Sequence, residues 1–296
     1  MEGSSGSLWQ RVSQIMQHRW TVERLAAFAD GEVGGNPAGV VIDDHLPDAA
    51  TMQAIAAEVG YSETVFATPE DDEWRVRYFA PEIEVPFCGH AIIALGAALA
   101  RRHGDGSFRL RLNNARIVVE GRQSEGGYVA ALQSPRTHSR PAEAKLVEAS
   151  LVLFGYNQQD LDPRIPPTVA EAGARHLILA LKERGRLAVM RYELAQGRAL
   201  MLAEGFATFS LVHAERPNLF HARNPFAAGG VYEDPATGAA AAALAGALRD
   251  IGWPHGGSIE ILQGQDMGVP SHLHADISPE PAASIRVSGK VRIMPS

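Results

Sequence analysis

The chain has 296 residues, 46% hydrophobic and 21% charged, which excludes wholesale disorder and allows one large domain or two ordinary ones. Lys and Arg number 27 against 34 Asp and Glu, a net charge of −7 that argues against general affinity for nucleic acid or anionic membranes. The single cysteine, Cys88, excludes an internal disulfide and a four-cysteine zinc site, so a reducing, cytoplasmic setting is expected.

Residues 1–15 (MEGSSGSLWQRVSQI) read as an N-terminal extension, either a disordered linker or a tag, with too few apolar residues for a secretory core. No later stretch offers the roughly 18 unbroken apolar residues that span a bilayer. Residues 22–29 (VERLAAFA) predict a strand, 31–39 (GEVGGNPAG) a Gly/Pro loop, and 40–42 the start of a second strand. Residues 48–59 predict a helix capped by Asp48, with Met52, Ile55, Ala56 and Val59 on one face and Gly60 as its stop. Residues 61–69 alternate as a strand closed by Pro69, and 73–81 alternate again, with Trp74, Val76 and Tyr78 on one side.

The run 91–104 (AIIALGAALARRHG) is apolar nearly all round and ends in a basic turn and a glycine, which places a helix in the middle of a domain. A similar phrase returns at 222–252, where an arginine, a Gly/Pro turn and an Ala/Leu-rich helix end in Arg and Gly. Setting CGHA (88–91) against PATG (235–238) gives an offset of 235 − 88 = 147, about half the chain. Two αβ half-units, each around a buried helix, are therefore expected. The first would run over residues 16–120 and the second over 121–281. The last strand, 284–294 within a segment of about 282–296, would return to the first.

Both half-units place small residues where a helix begins, Gly89-His90-Ala91 and Thr237-Gly238-Ala239. Unpaired N–H groups and the positive dipole end at such starts favour a carboxylate or phosphate, although the same glycines also serve plain tight turns. Glu63, in Ser62-Glu63-Thr64-Val65-Phe66, is the most suggestive ionisable residue. A carboxyl group among apolar neighbours can take and return a proton; on the solvent side of an edge strand it would do neither. Glu233 and Asp234 precede the second helix start, as N-terminal caps or, for Asp234, as a partner of a ligand or of His90. Cys88, beside a helix start, is either core packing or a thiol with a lowered pKa. His272 and His274 read as a polar loop, since spacing of two without further clustered ligands is poor metal-site spacing. No dinucleotide or Walker loop occurs, and neither a cofactor nor a metal is called for.

GNPAGVV (35–41), SETVF (62–66), RVRYFAPEIEVPFCGHA (75–91) and EDPATG (233–238) together resemble the PhzF-type isomerases of phenazine biosynthesis, in order from about residue 20 to the C-terminus. The resemblance implies an α+β, diaminopimelate-epimerase-like fold of two similar domains. Each is a barrel-like sheet around a central helix, and the active site lies in the cleft between them. It implies a cofactor-independent isomerase that moves a proton on a small cyclic or amino carboxylate with a single glutamate, Glu63, assisted by His90 and Asp234. Substrate contacts are implied at Ser62, Gly89, Ala91, Thr237, Gly238 and Ala239, and a homodimer is usual for the family. The sequence departs where the family commonly has serine, here Ala239, and threonine, here Ile92. Pro235 stands where cysteine racemases of the wider fold carry their second cysteine. The alternatives are a non-catalytic small-anion-binding protein, favoured by Ala239, and an amino-acid-derivative epimerase, against which Pro235 speaks.

Overall fold

The computed structural model describes residues 20–295, so the extension read at 1–15 lies outside the described residues. The first half runs β1 (Glu23–Ala27), β2 (Asn36–Ile42), α1 (Ala49–Val59), β3 (Thr64–Glu70), β4 (Glu73–Phe79), β5 (Glu84–Val85), α2 (Gly89–His103), β6 (Gly106–Arg111), β7 (Arg116–Ser124) and β8 (Gly127–Arg136). A crossing strand β9 (His138–Pro141) and helix α3 (Ala144–Phe154) lead into the second half. That half runs β10 (Thr168–Glu171), β11 (Arg175–Ala180), α4 (Arg184–Ala188), α5 (Leu194–Glu204), β12 (Thr208–Arg216), β13 (Leu219–Pro225), β14 (Glu233–Asp234), α6 (Gly238–Asp250), β15 (Ser258–Gln263), β16 (Ser271–Asp276) and β17 (Ser284–Ile293).

Strand pairing closes two barrels. In the first, the ring runs β1, β2, β3, β4, β6, β7, β8, β17 and back to β1, eight strands in all. In the second it runs β9, β10, β11, β12, β13, β15, β16 and β17, with β17 paired to β8, which leads back to β9. The barrels therefore share two long strands. β17 pairs with β16 through Arg286–Ser288 and with β1 through Val291–Ile293. Residue 120 lies within β7 of the first barrel, and the chain crosses to the second barrel only along β8 and β9. Among the described residues no helix is long and apolar enough to cross a membrane.

A helix threaded through a barrel meets wall on every side, so it must be apolar all round and thin where the wall is close. α2 is buried without a break from His90 to Ala100, and α6 from Ala240 to Leu248. A Cβ on Gly121 of β7 would stand 2.1 Å from the Gly96 carbonyl oxygen of α2. Gly246 of α6 meets Thr137 in the same way, its Cβ position being 2.7 Å from the Thr137 Cβ.

Local chemistry departs from the sequence expectations in several places. β2 begins at Asn36, inside the expected loop, because residues 36–39 pair with β1. β3 begins at Thr64, which leaves Ser62 and Glu63 in the turn before it, and Pro69 lies within the strand rather than closing it. His272 and His274 lie on β16, not in a loop, where their side chains meet Glu260 of β15. The N-caps of the two central helices, Cys88 and Thr237, lie 237 − 88 = 149 apart, two more than the motif offset.

Candidate active site

The position of Glu63 follows from the helix before it. α1 is capped by the Asp48 carboxylate, which accepts from the Thr51 amide at 2.9 Å, and it ends at Gly60 in the left-handed conformation, φ 70°. The chain then turns sharply into β3, with the Gly39 amide donating to the Glu63 carbonyl at 3.2 Å. A Cβ at position 39 would lie 2.7 Å from Thr64 Oγ1, so a larger residue there would force the Thr64 side chain to shift. The Glu63 side chain is thus turned inward and is only 16% exposed.

It meets the start of α2. Glu63 Oε2 lies 3.4 Å from His90 Nε2, yet that oxygen is buried and makes no hydrogen bond. His90 Nε2 is also 3.3 Å from Ser62 Oγ, and its Nδ1 is 3.3 Å from Cys88 Sγ. Burial pushes the Cys88 thiol well above its ordinary pKa, and the nearby Glu63 charge raises it further. The lowered thiol considered from sequence is therefore corrected: the shift at Cys88 is upward. No side chain caps α2 at Cys88 or α6 at Thr237, so the first-turn amides of both helices lack a capping oxygen.

The start of α6 is finished differently. Asp234 Oδ1 accepts from Asn36 Nδ2 at 2.8 Å, and Oδ2 accepts from Thr237 Oγ1 at 2.5 Å. Burial raises the Asp234 carboxyl to about 6, opposed by His90 and by the Thr237 and Asn36 bonds, with Glu63 adding to the rise. Gln263, itself buried, donates to the Asp234 carbonyl at 2.7 Å and to Thr237 Oγ1 at 3.0 Å, and accepts from the Thr237 amide at 3.2 Å. Glu233 does not cap the helix. It forms a buried bidentate ion pair with Arg223, at 2.9 and 2.5 Å, and Arg223 also donates to the Ala188 carbonyl.

Between the helix starts lies a narrow cleft of about 20 Å³, partly open to solvent, to which Gly89, Gly238 and Ala239 contribute. Its walls are apolar, chiefly Phe28, Ile93, Leu132 and Val287. Phe28 stands at φ 61°, an uncommon conformation for a bulky residue, and its ring packs 3.4 Å from the Cβ position of Gly238. The one wall hydroxyl, Ser134, already donates to the Pro135 carbonyl at 2.7 Å and accepts from the Ile285 amide at 2.9 Å.

Of the residues singled out from sequence, Ser62, Glu63 and His90 form one cluster, Asp234 and Thr237 a second, and Gly89, Gly238 and Ala239 line the cleft. Ala91 is fully buried inside the first barrel and does not line the cleft. Asn36 and Gln263 were missed. Asn36 stood in view within GNPAG, but nothing near it in sequence shows its bond to a residue 198 positions away. Gln263 had no local signal at all.

The model of the phenazine biosynthesis-like protein family matches residues 25–294. The trans-2,3-dihydro-3-hydroxyanthranilate isomerase of Pseudomonas aeruginosa is 32% identical over 282 residues, 92% of this chain and 95% of that protein. A solved structure described as a predicted epimerase, also from Pseudomonas aeruginosa, is 26% identical with a TM-score of 0.80, covering 93% of this chain and 96% of its own. A hydroxyproline epimerase from Agrobacterium vitis is 10% identical with a TM-score of 0.60 over 93% of this chain and 91% of its own, a likeness of fold alone. The α+β pair of barrels is accordingly the diaminopimelate-epimerase-like fold. With a family match across nearly the whole described chain and a relative of this identity, the chain belongs to the phenazine biosynthesis-like, PhzF-type family of isomerases.

Proposed function

We propose that the protein isomerises a small carboxylate by moving a proton from one carbon to another through Glu63, without a cofactor. The observation that carries this is the Glu63 carboxylate oxygen, buried beside His90 with no hydrogen-bond partner at the start of α2. A base must have a free lone pair near the substrate, and most buried polar atoms of folded proteins are satisfied. The substrate carboxylate sits between the two helix starts, where uncapped amides and both dipoles favour negative charge. His90 steadies Glu63, and Asp234 supports the site through the Asn36 and Thr237 bonds that fix it. Moving a proton within one molecule balances without an oxidant or reductant.

The walls narrow the substrate class. With Ser134 committed and Ala239 offering no hydroxyl, the body of the carboxylate meets carbon on most sides. An apolar cyclic or branched carboxylate fits this lining better than one with several exposed polar groups. A ring such as that named for the Pseudomonas aeruginosa relative belongs to the class, but its hydroxyl and amine would find fewer partners here.

Incubation with a panel of cyclic carboxylates in heavy water tests the proposal. Deuterium entering a carbon of at least one of them, read by NMR, is the expected result. Carboxylates that bind with no exchange at any carbon would instead favour the non-catalytic anion-binding reading, toward which Ala239 points.

A further inference from the structure

We propose that Glu63, Cys88 and His90 form an inhibitory site for a thiophilic divalent cation, with zinc as its natural probe. One carboxylate oxygen, one sulfur and one ring nitrogen from these residues all lie within 4.8 Å of one another. Sulfur, nitrogen and oxygen donors in threes, with a fourth place left open, are the ligand set of exchangeable or catalytic zinc. The spacing suits it. Ligands about 2.0–2.3 Å from a tetrahedral ion lie roughly 3.3–3.6 Å from each other. His90 Nε2 is 3.4 Å from Glu63 Oε2 and 3.8 Å from Cys88 Sγ, so small shifts would admit the ion.

A second observation comes from bonding rather than spacing. Glu63 Oε2 is buried and accepts no hydrogen bond, and it lies 3.4 Å from His90 Nε2, with the Cys88 sulfur in the same cluster. At the pseudo-equivalent start of α6 no such set exists, because both Asp234 oxygens are taken and proline occupies position 235. On binding, the Cys88 thiol loses its proton to solvent and the sulfur bonds the ion, while Glu63 as carboxylate and His90 as neutral imidazole each give a lone pair. No electron changes hands. The ion would occupy the lone pair that the proposed reaction needs, so the inhibition, though not the binding, rests on Glu63 being the base.

Cobalt(II) titration of the intact protein tests binding without reference to turnover. One ion per chain, with a sulfur-to-metal charge-transfer band in the near ultraviolet, is the expected result. Cys88→Ser should abolish the band and weaken zinc in equilibrium dialysis by more than the roughly 10–100-fold that loss of a supporting group costs. The paired change His272→Gln and His274→Gln removes the surface histidines that bond Glu260, at 2.7 and 2.6 Å, and should leave the band unchanged. Absence of a sulfur band in wild type, or binding lost with the surface histidines alone, overturns the proposal; the wild-type spectrum decides even if Cys88→Ser fails to fold. If the site is real but Glu63 is not the base, the band forms and deuterium exchange survives saturating zinc. If both readings hold, zinc stops exchange at the concentration that saturates the band.

Discussion

At the start of α2 a buried carboxylate oxygen of Glu63 has no hydrogen-bond partner, whereas at the start of α6 both oxygens of Asp234 are taken. Each start opens the helix inside one of the two barrels, and neither N-cap side chain caps its helix. One carries an unpartnered carboxylate oxygen and the other is braced. The bracing crosses between the halves: Asn36 of the first barrel holds Asp234 and the Ala236 carbonyl of the second. The two barrels thus supply two helix ends that favour an anion, while the proposed chemistry lies at one and the bracing bonds at the other.

The brace can be broken most severely at its buried ion pair. Glu233→Gln keeps the volume but leaves Arg223, only 8% exposed, without its charge partner. Loss of about 3–5 kcal/mol in urea unfolding is expected. A cost under about 1 kcal/mol would mean that Arg223 finds water or other acceptors, and that the second start is less rigid than its bonds suggest.

Acid probes the same half. His176, on β11, is fully buried, bonded through Nδ1 to Thr208 Oγ1 at 2.8 Å, and burial lowers its pKa from 6.5 to about 4. Between those values the unfolded chain binds the proton and the folded chain does not, so stability rises with pH there and is lost as pH falls from 6.5 toward 4. The full loss is about 3 kcal/mol. Unfolding of wild type and His176→Gln at pH 7 and pH 4.5 should show the difference shrinking in the variant.

In the first barrel, Gly121→Ala drives a methyl group into the Gly96 carbonyl and should cost about 1–3 kcal/mol or more. Because α2 carries His90, ligand affinity should fall alongside melting temperature. A stable variant with unchanged affinity would show that the helix can shift in its barrel without disturbing the site. The smallest effect belongs to Ala239→Ser, which adds a hydroxyl at the cleft wall. A bound carboxylate that offers it a partner should tighten by about 0.5–1.5 kcal/mol in calorimetry, and an apolar-bodied one should not.

Much of this contrast was open to reading from sequence, and the boundary of legibility is physical. α1 could be placed because Asp48 and Gly60 mark its ends locally, and α2 could be placed inside a barrel because no face of it is polar. The two helix starts stood out because small residues form their first turns. Local pattern failed at Asn36, where a Gly/Pro segment looks like a loop but pairs with β1, and at Ser62 and Glu63, which alternate like strand residues but lie in the turn. Bonds such as Asn36 to Asp234 and Arg223 to Glu233 join residues that only the closed barrels bring together, so no periodicity announces them.

In the proposed reaction the reactive group lies at one start only. Glu63→Gln tests it most directly, since the change keeps size and removes only proton acceptance. Deuterium exchange into a turned-over carboxylate and calorimetric affinity for that ligand should be measured on the same preparations of wild type and variant. Exchange should fall by roughly 10²–10⁴-fold with affinity nearly unchanged, because the helix amides hold the carboxylate. Exchange in Glu63→Gln at the wild-type rate would contradict it.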